Sequence, residues 1–220
     1  MIFILLILNT VLGRNLLLDE EKNKELGFDV SIEDMDLERS GAGGRFKNLN
    51  SMIWHYNENY KFLRTFVYGC NCLFHTQKPM RQTTFGHPVD AMDSLCLKWK
   101  QCQKCAYAIH GTWCTNEDNF YGVTGIGPSF LEHYNGGDEA VCTDEPWSCG
   151  RQLCECDRMF AKEYEQAYST WSHLNHVFLS EFNPTSECVK PSPHGKPECC
   201  WAGDGPSHVY NPERKVHCSS

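Results

Sequence analysis

Asp90-Ala-Met-Asp-Ser-Leu-Cys-Leu-Lys-Trp-Lys-Gln-Cys102 is the stretch of sequence that decides the fold. It lies within a segment, from Val89 to about Ala108, that we predict to be a long helix. The two cysteines of the stretch fix the phase of that helix, so Trp99 and Lys100 fall next to each other near its middle. The chemistry of this middle turn is therefore the first question that the sequence raises.

Two further cysteine motifs accompany this stretch, Tyr68-Gly-Cys-Asn-Cys72 before it and Cys154-Glu-Cys-Asp157 after it. Together the three resemble the secreted phospholipase A2 family, with its Y-G-C-x-C loop, its D-x-x-D-R-C-C-x-x-H-D-x-C helix and its C-x-C-D helix. The resemblance implies a mainly α, disulfide-rich phospholipase A2-like fold. Its parts would be two long antiparallel disulfide-linked helices, an N-terminal helix and a small β-wing.

The resemblance also identifies the site, which is substituted at two of its three positions. Trp99 stands where the family has its catalytic histidine, and Lys100 stands where it has its calcium-binding aspartate, whereas Asp157 keeps the facing carboxylate. An indole only donates hydrogen bonds, so Trp99 cannot abstract a proton from water. An ammonium group repels a divalent cation. We therefore expect no catalytic residue, no metal ligand and no calcium cofactor at this site.

Two alternatives for the substituted site stay open in the sequence. Lys100 either forms an ion pair with Asp157 or extends past an apolar stem to solvent. Trp99 would plug the inner end of the family's lipid channel. Where the family has its glycine-rich calcium loop, residues 73–85 form a longer insert without glycine, so the sequence does not predict the family's carbonyl ligands here.

The cysteines provide a separate check on the resemblance. The chain has fourteen cysteines, which is typical of an oxidising compartment. One bridge of the family is absent at both of its ends, which are Leu95 and Glu163 here. The pairings that the resemblance implies are Cys72–Cys96, Cys102–Cys156, Cys142–Cys154 and Cys114–Cys149, with Cys70 joined to a cysteine of the tail. The pairing of the others is left open, namely Cys105, Cys188, Cys199, Cys200 and Cys218.

Composition divides the chain into four segments. Residues 1–13 are predicted to be a cleaved apolar signal peptide, with an uncleaved anchor as the alternative. Residues 14–45 are an acidic lead that is either a propeptide or a solvated extension. The phospholipase A2-like domain would be 46–182, beginning with an amphipathic helix that reaches Tyr56. Its third helix would run from about Gly150 to Ser172, and an extension towards Glu181 is left open. Residues 183–220 are predicted to be a cysteine-rich tail without a helix.

We expect a secreted, extracellular protein without a transmembrane segment. The net charge of −8 argues against nucleic acid and anionic lipid as partners. A phospholipid or fatty acyl chain, an extracellular protein and a mineral surface all remain compatible with it. The preferred function is a non-catalytic phospholipase A2-like binding protein. The alternatives are an active enzyme that hydrolyses the sn-2 ester of phospholipids and an extracellular interaction module whose tail does the binding.

Overall fold

The computed structural model describes residues 43–57, 60, 62–65, 68–72, 86–114, 121–126, 139–177, 179–189 and 198–211. The predicted signal peptide and nearly all of the acidic lead lie outside the described residues. So do the loop 73–85 and Cys218. The interpretation of these segments therefore stays at the level of the sequence.

The fold is mainly α, as predicted, with two small antiparallel sheets. The helices among the described residues are α1 (Gly43–Tyr56), α2 (Phe62–Thr65), α3 (Ala91–His110), α4 (Cys149–Tyr168) and α5 (Pro184–Glu187). In the described part of the chain, a 3-10 turn spans His173–Asn175. Strand β1 (Val123–Thr124) pairs with β2 (Val141–Cys142), and β3 (Glu198–Cys200) pairs with β4 (His208–Tyr210).

The two long helices, α3 and α4, pack side by side and run antiparallel. Lys98 pairs with Glu163, Cys102 is disulfide-bonded to Cys156, and His110 bonds Gln152. As residue numbers rise along α3, the numbers of the partner residues on α4 fall, so the two helices run antiparallel. The amphipathic helix α1 adds the buried Leu49, Met52 and Ile53 to the same core.

Side-chain caps begin both long helices. The carboxylate of Asp90 accepts a hydrogen bond from the backbone N–H of Asp93 at the start of α3. The hydroxyl of Ser148 accepts one from the N–H of Arg151 at the start of α4. Each cap satisfies a backbone donor that has no partner within the helix.

All five disulfides that the resemblance implied are present in the structure. They are Cys72–Cys96, Cys102–Cys156, Cys142–Cys154, Cys114–Cys149 and Cys70–Cys188. A sixth, Cys105–Cys199, joins the end of α3 to strand β3, and Cys200 is also disulfide-bonded. The tail is thus attached covalently at both its beginning and its hairpin.

Two expectations about the helices were wrong. Helix α4 ends at Tyr168 rather than near Ser172, and it does not extend towards Glu181. The hydroxyls of Ser169 and Thr170 bond the backbone carbonyls of Gln166 and Ala167, and such local side-chain bonds compete with continued helix. The tail contains one helical turn, α5, which Asn183 caps and Pro184 begins.

Candidate functional site

The candidate site is centred on the carboxylate of Asp157, which lies fully buried on α4. The indole N–H of Trp99 donates a hydrogen bond of 2.7 Å to its Oδ1 atom. The hydroxyl of Tyr121 donates one of 2.7 Å to Oδ2. Each carboxylate oxygen thus accepts a short, charge-assisted hydrogen bond from an aromatic side chain.

The packing of the long helices holds this arrangement. The Cys102–Cys156 disulfide lies one helical turn after Trp99 and directly before Asp157, so it fixes the two side chains at the same level. The rings of Trp99 and Phe160 are 5.3 Å apart, and Trp99 is only 6% exposed. The amide of Asn48 on α1 donates to the carbonyl of Tyr121, which orients the second donor.

The sequence-predicted residues Trp99 and Asp157 therefore meet, and their chemistry differs from an acid–base pair. A general base needs a lone pair at the atom that faces water, and an indole N–H has none. The indole N–H instead donates a hydrogen bond to one of the two carboxylate oxygens of Asp157. The arrangement stabilises a buried negative charge and offers no proton acceptor at the position of Trp99.

Lys100 is buried, which contradicts one of the two alternatives that the sequence left open. Its side chain is 6% exposed, so it does not extend to solvent. The carboxylate whose charge favours its protonated form is Asp93, whereas Asp157 bonds Trp99 and Tyr121. Burial lowers the pKa of Lys100 from 10.5 to about 8, and the nearby charge of Lys104 acts in the same direction.

The residues at this site do not fit a calcium ion. Calcium takes six to eight oxygen ligands, several of them anionic, and the family's ligand position here carries the buried ammonium of Lys100. No group of three or more histidine, cysteine or acidic side chains within the described ranges could hold a metal ion. The remaining part of the family's calcium site would be the loop 73–85, which lies outside the described residues.

Asp93, to which the sequence assigned no role, is an acceptor for a cluster of backbone N–H groups. Its carboxylate accepts bonds from the N–H groups of Cys70 (2.9 Å), Asn71 (2.6 Å), Cys72 (3.2 Å) and Val89 (3.1 Å). Burial raises the pKa of Asp93, and these hydrogen bonds oppose that shift. The bonds tie the cysteine loop to the first turn of α3.

The same cluster explains the glycine of the Tyr68-Gly-Cys motif. Gly69 has φ +56, and a Cβ atom on it would lie 2.5 Å from Cγ of Asp93. Any larger residue would displace the carboxylate and strain the backbone. Tyr68, the residue before it, donates to the carboxylate of Asp90 and accepts from the N–H of Ser172.

Two residues that sequence reasoning missed are therefore important here, Tyr121 and Asp93. The signal for Asp93 was present, because it is the second aspartate of the D-x-x-D motif. No sequence pattern indicated a role for Tyr121, which lies in an irregular segment thirty-six positions before Asp157 and meets it only through the tertiary fold.

No helix in the described ranges is long and apolar enough to cross a membrane.

Comparison with known proteins finds relatives of one kind. The chain is 26% identical over 152 residues to the basic phospholipase A2 homolog acutohaemolysin of Deinagkistrodon acutus, covering 69% of this chain and 89% of that protein. It is 28% identical over 121 residues to the group IID secretory phospholipase A2 of Mus musculus, covering 54% of this chain and 67% of that protein. No family model matches the chain. The chain is thus similar to secreted phospholipases A2 and their homologs, at low identity over much of its length.

Proposed function

We propose that this phospholipase A2-like chain is a secreted protein that binds its ligand and does not hydrolyse phospholipid. One observation carries the proposal: the indole of Trp99 donates to Asp157 where hydrolysis requires a proton acceptor. General-base assistance typically contributes about 10²–10⁴-fold to the rate of such a reaction. That contribution is lost when the base is replaced by a donor.

The buried Lys100 supports the same proposal. An ammonium ion about 4 Å from a divalent cation would be repelled by several kcal/mol, even at an effective dielectric constant of about 20. Metal-assisted polarisation of an ester carbonyl therefore has no support from the described residues of this site. Base and metal ligand are replaced together, on adjacent residues of one helix turn.

The ligand that we propose is a phospholipid or its fatty acyl chain, because the similar proteins are phospholipases A2 and homologs named after them. The acutohaemolysin homolog is named basic, whereas this chain has a net charge of −8. We therefore expect binding to zwitterionic rather than anionic lipid. An extracellular protein or a mineral surface is the alternative partner for an acidic chain.

Secretion is part of the proposal. It is supported by the six disulfides among the described residues and by the secretory relative. We propose that residues 1–13 are removed as a signal peptide and that residues 14–45 precede the folded domain. Helix α1 begins at Gly43, within three residues of the proposed domain start.

A hydrolysis assay tests the loss of catalysis. The full chain is incubated with phosphatidylcholine vesicles, with calcium or with a chelator, beside an active secreted phospholipase A2 as the positive control. We expect the same fatty acid release as in protein-free vesicles under both conditions. Calcium-stimulated release that disappears in Asp157→Asn would refute the proposal.

A binding assay tests the second half of the proposal. Calorimetric titration with calcium should show no binding, whereas a lysophospholipid or fatty acid should bind with measurable heat. The matched variant is Trp99→Ala, which opens space beside Phe160 in the buried site without adding a charge. We expect it to change the affinity for the acyl chain, and lipid binding that is undetectable in the wild type would contradict the lipid assignment.

A further inference from the structure

A row of four aromatic rings lies at the end of the molecule where α3 ends and α4 begins. The ring centroids of Trp113 and His110 are 6.3 Å apart, those of His110 and Trp201 are 5.5 Å apart, and those of Trp201 and Trp147 are 5.2 Å apart. Trp113 is 60% exposed and Trp147 is 62% exposed. Large aromatic side chains this exposed and this close together are typical of interaction sites.

The row is held rigidly by the tail hairpin. The indole N–H of Trp201 donates to the carbonyl of Gly205 at 2.8 Å, which fixes the ring. The Cys105–Cys199 disulfide and a bond from the Ser207 hydroxyl to the Cys102 carbonyl (3.0 Å) attach the hairpin to α3. A rigid surface loses little conformational entropy when a partner binds, which favours affinity.

The backbone of Trp147 is in a strained, left-handed conformation. Its φ of +66 is the only positive value of a non-glycine residue within the described ranges. A bulky side chain strains the backbone in that conformation. Gly203 makes room for the indole, because a Cβ atom there would lie 2.4 Å from the Trp147 ring. A strained and mostly exposed tryptophan is a feature that core packing alone does not require.

Two exposed carboxylates lie beside the Trp147 end of the row. Glu145 lies in the same tight turn as Trp147, and Asp204 follows the glycine that the Trp147 ring covers; both are exposed. The cation nearest in sequence, Arg151, already bonds Glu155 and the carbonyl of Asp144. Exposed tryptophan side chains and exposed carboxylates together favour a cationic ligand.

We propose that this aromatic row binds an arginine-bearing segment of an extracellular protein. A guanidinium group can stack on a tryptophan face while its N–H fork bonds a carboxylate, which a lysine or choline group cannot do. Neighbouring rings meet edge to face, at 62° and 75°, so they do not form the flat aromatic surface on which a sugar would stack. The net charge of −8 would steer a basic partner towards the chain.

A membrane surface fits this row less well. Seating Trp147 at the depth of lipid headgroups would place Glu145 beside the lipid phosphates, where like charges repel. The row is also separate from the Asp157 site, because His110 follows Trp99 by eleven positions, about 16 Å along the helix axis. The two sites can therefore be tested independently, and failure of one leaves the result for the other unchanged.

The probe is an alternating glycine–arginine peptide, and its control is the same peptide with citrulline, which keeps the shape of arginine without its charge. Binding to the full chain is followed by calorimetry and tryptophan fluorescence at physiological salt. We expect the arginine peptide to bind and the citrulline peptide to bind at least about tenfold more weakly. Equal affinity for both peptides would overturn the proposal.

A set of variants distinguishes specific binding at the aromatic row from nonspecific attraction of the peptide to an acidic protein. Trp147→Gly suits the positive φ and should weaken arginine-peptide binding roughly three- to thirtyfold, as should Trp113→Ala. The double variant Glu145→Gln with Asp204→Asn should do the same. Leu174→Ala, which removes another exposed apolar side chain, should bind as the wild type does. Unchanged affinity in both tryptophan variants would overturn the proposal, and so would tryptophan-dependent binding to phosphatidylcholine vesicles without peptide binding.

Discussion

The ammonium group of Lys100 makes the stability of this protein depend on pH. Its pKa is lowered from 10.5 to about 8 by burial, so the unfolded chain binds more protons than the folded chain between these two values. By linkage, the free energy of unfolding rises as the pH rises through that range. Below about pH 8 the folded state carries the full cost of a buried cation.

Replacing Lys100 by a neutral side chain of similar length removes that cost. We expect Lys100→Met to raise the free energy of unfolding at pH 7 by about 2 kcal/mol, with the difference from wild type shrinking towards pH 10.5. Urea unfolding at a series of pH values measures it. The control is Lys98→Met on the same helix, whose side chain is 40% exposed and should change stability by less than about 1 kcal/mol. A difference that stays constant with pH would contradict the assignment.

Residue-level chemistry was predictable where cysteines fix the register. Trp99 and Asp157 face each other as expected, because Cys102 and Cys156 anchor the two helices beside them. The environment of Lys100 was not predictable. Helical period places Asp93, about two turns earlier, on the same face of α3. The burial that lowers the pKa of Lys100 depends instead on tertiary packing, which neither helical period nor motif spacing encodes.

At the scale of elements, the attachment of the cysteine loop to α3 depends on one carboxylate. Asp93 accepts four backbone N–H bonds and one from the Asn71 amide. We expect Asp93→Asn to lower the free energy of unfolding by about 2–4 kcal/mol, because its NH₂ group would face N–H donors and leave them unsatisfied. Chemical denaturation measures the loss.

A matched control distinguishes this effect from the loss of a charge. Glu165→Gln also removes one negative charge, from an exposed position on α4, and should change stability by less than about 0.5 kcal/mol. If Asp93→Asn were as stable as Glu165→Gln, the N–H cluster would not hold the loop in place. A gain in stability would instead point to the desolvation cost of the Asp93 carboxylate as the larger effect.

The long helices were predictable as elements, whereas their ends were less so. Disulfide partners six residues apart on α3 and cysteines two apart on α4 defined two facing helices. The end of α4 was missed because hydroxyl groups at Ser169 and Thr170 bond the last carbonyls, a local competition that hydrophobic periodicity does not register. At Leu95 and Glu163, which replace one family bridge, the structure has a buried leucine and an ion pair to Lys98.

At the scale of the whole molecule, the tail is bonded covalently to the rest of the chain at two points. Its beginning is bonded through Cys188 to Cys70, and its hairpin through Cys199 to Cys105. The N–H of His87 also donates to the carbonyl of Val189. The sequence indicated a disulfide-held tail, but the pairing of Cys105 could not be derived, because several cysteines were equally available to it.

Removal of the tail tests this integration. We expect a chain that ends at Phe182, with Cys70→Ser and Cys105→Ser to avoid free thiols, to unfold at least about 10 °C below the wild type. Each lost disulfide contributes roughly 2–4 kcal/mol, and the end of α3 would lose its packing against β3 and β4.

Thermal unfolding followed by circular dichroism measures the shift. The control, which lacks a single bridge, is the full-length chain with only Cys70→Ser and Cys188→Ser. That control should lie between the two, because it keeps the hairpin on α3. If the truncated chain unfolded within about 2 °C of the wild type, the tail would be a separate module that does not stabilise the helical part of the chain.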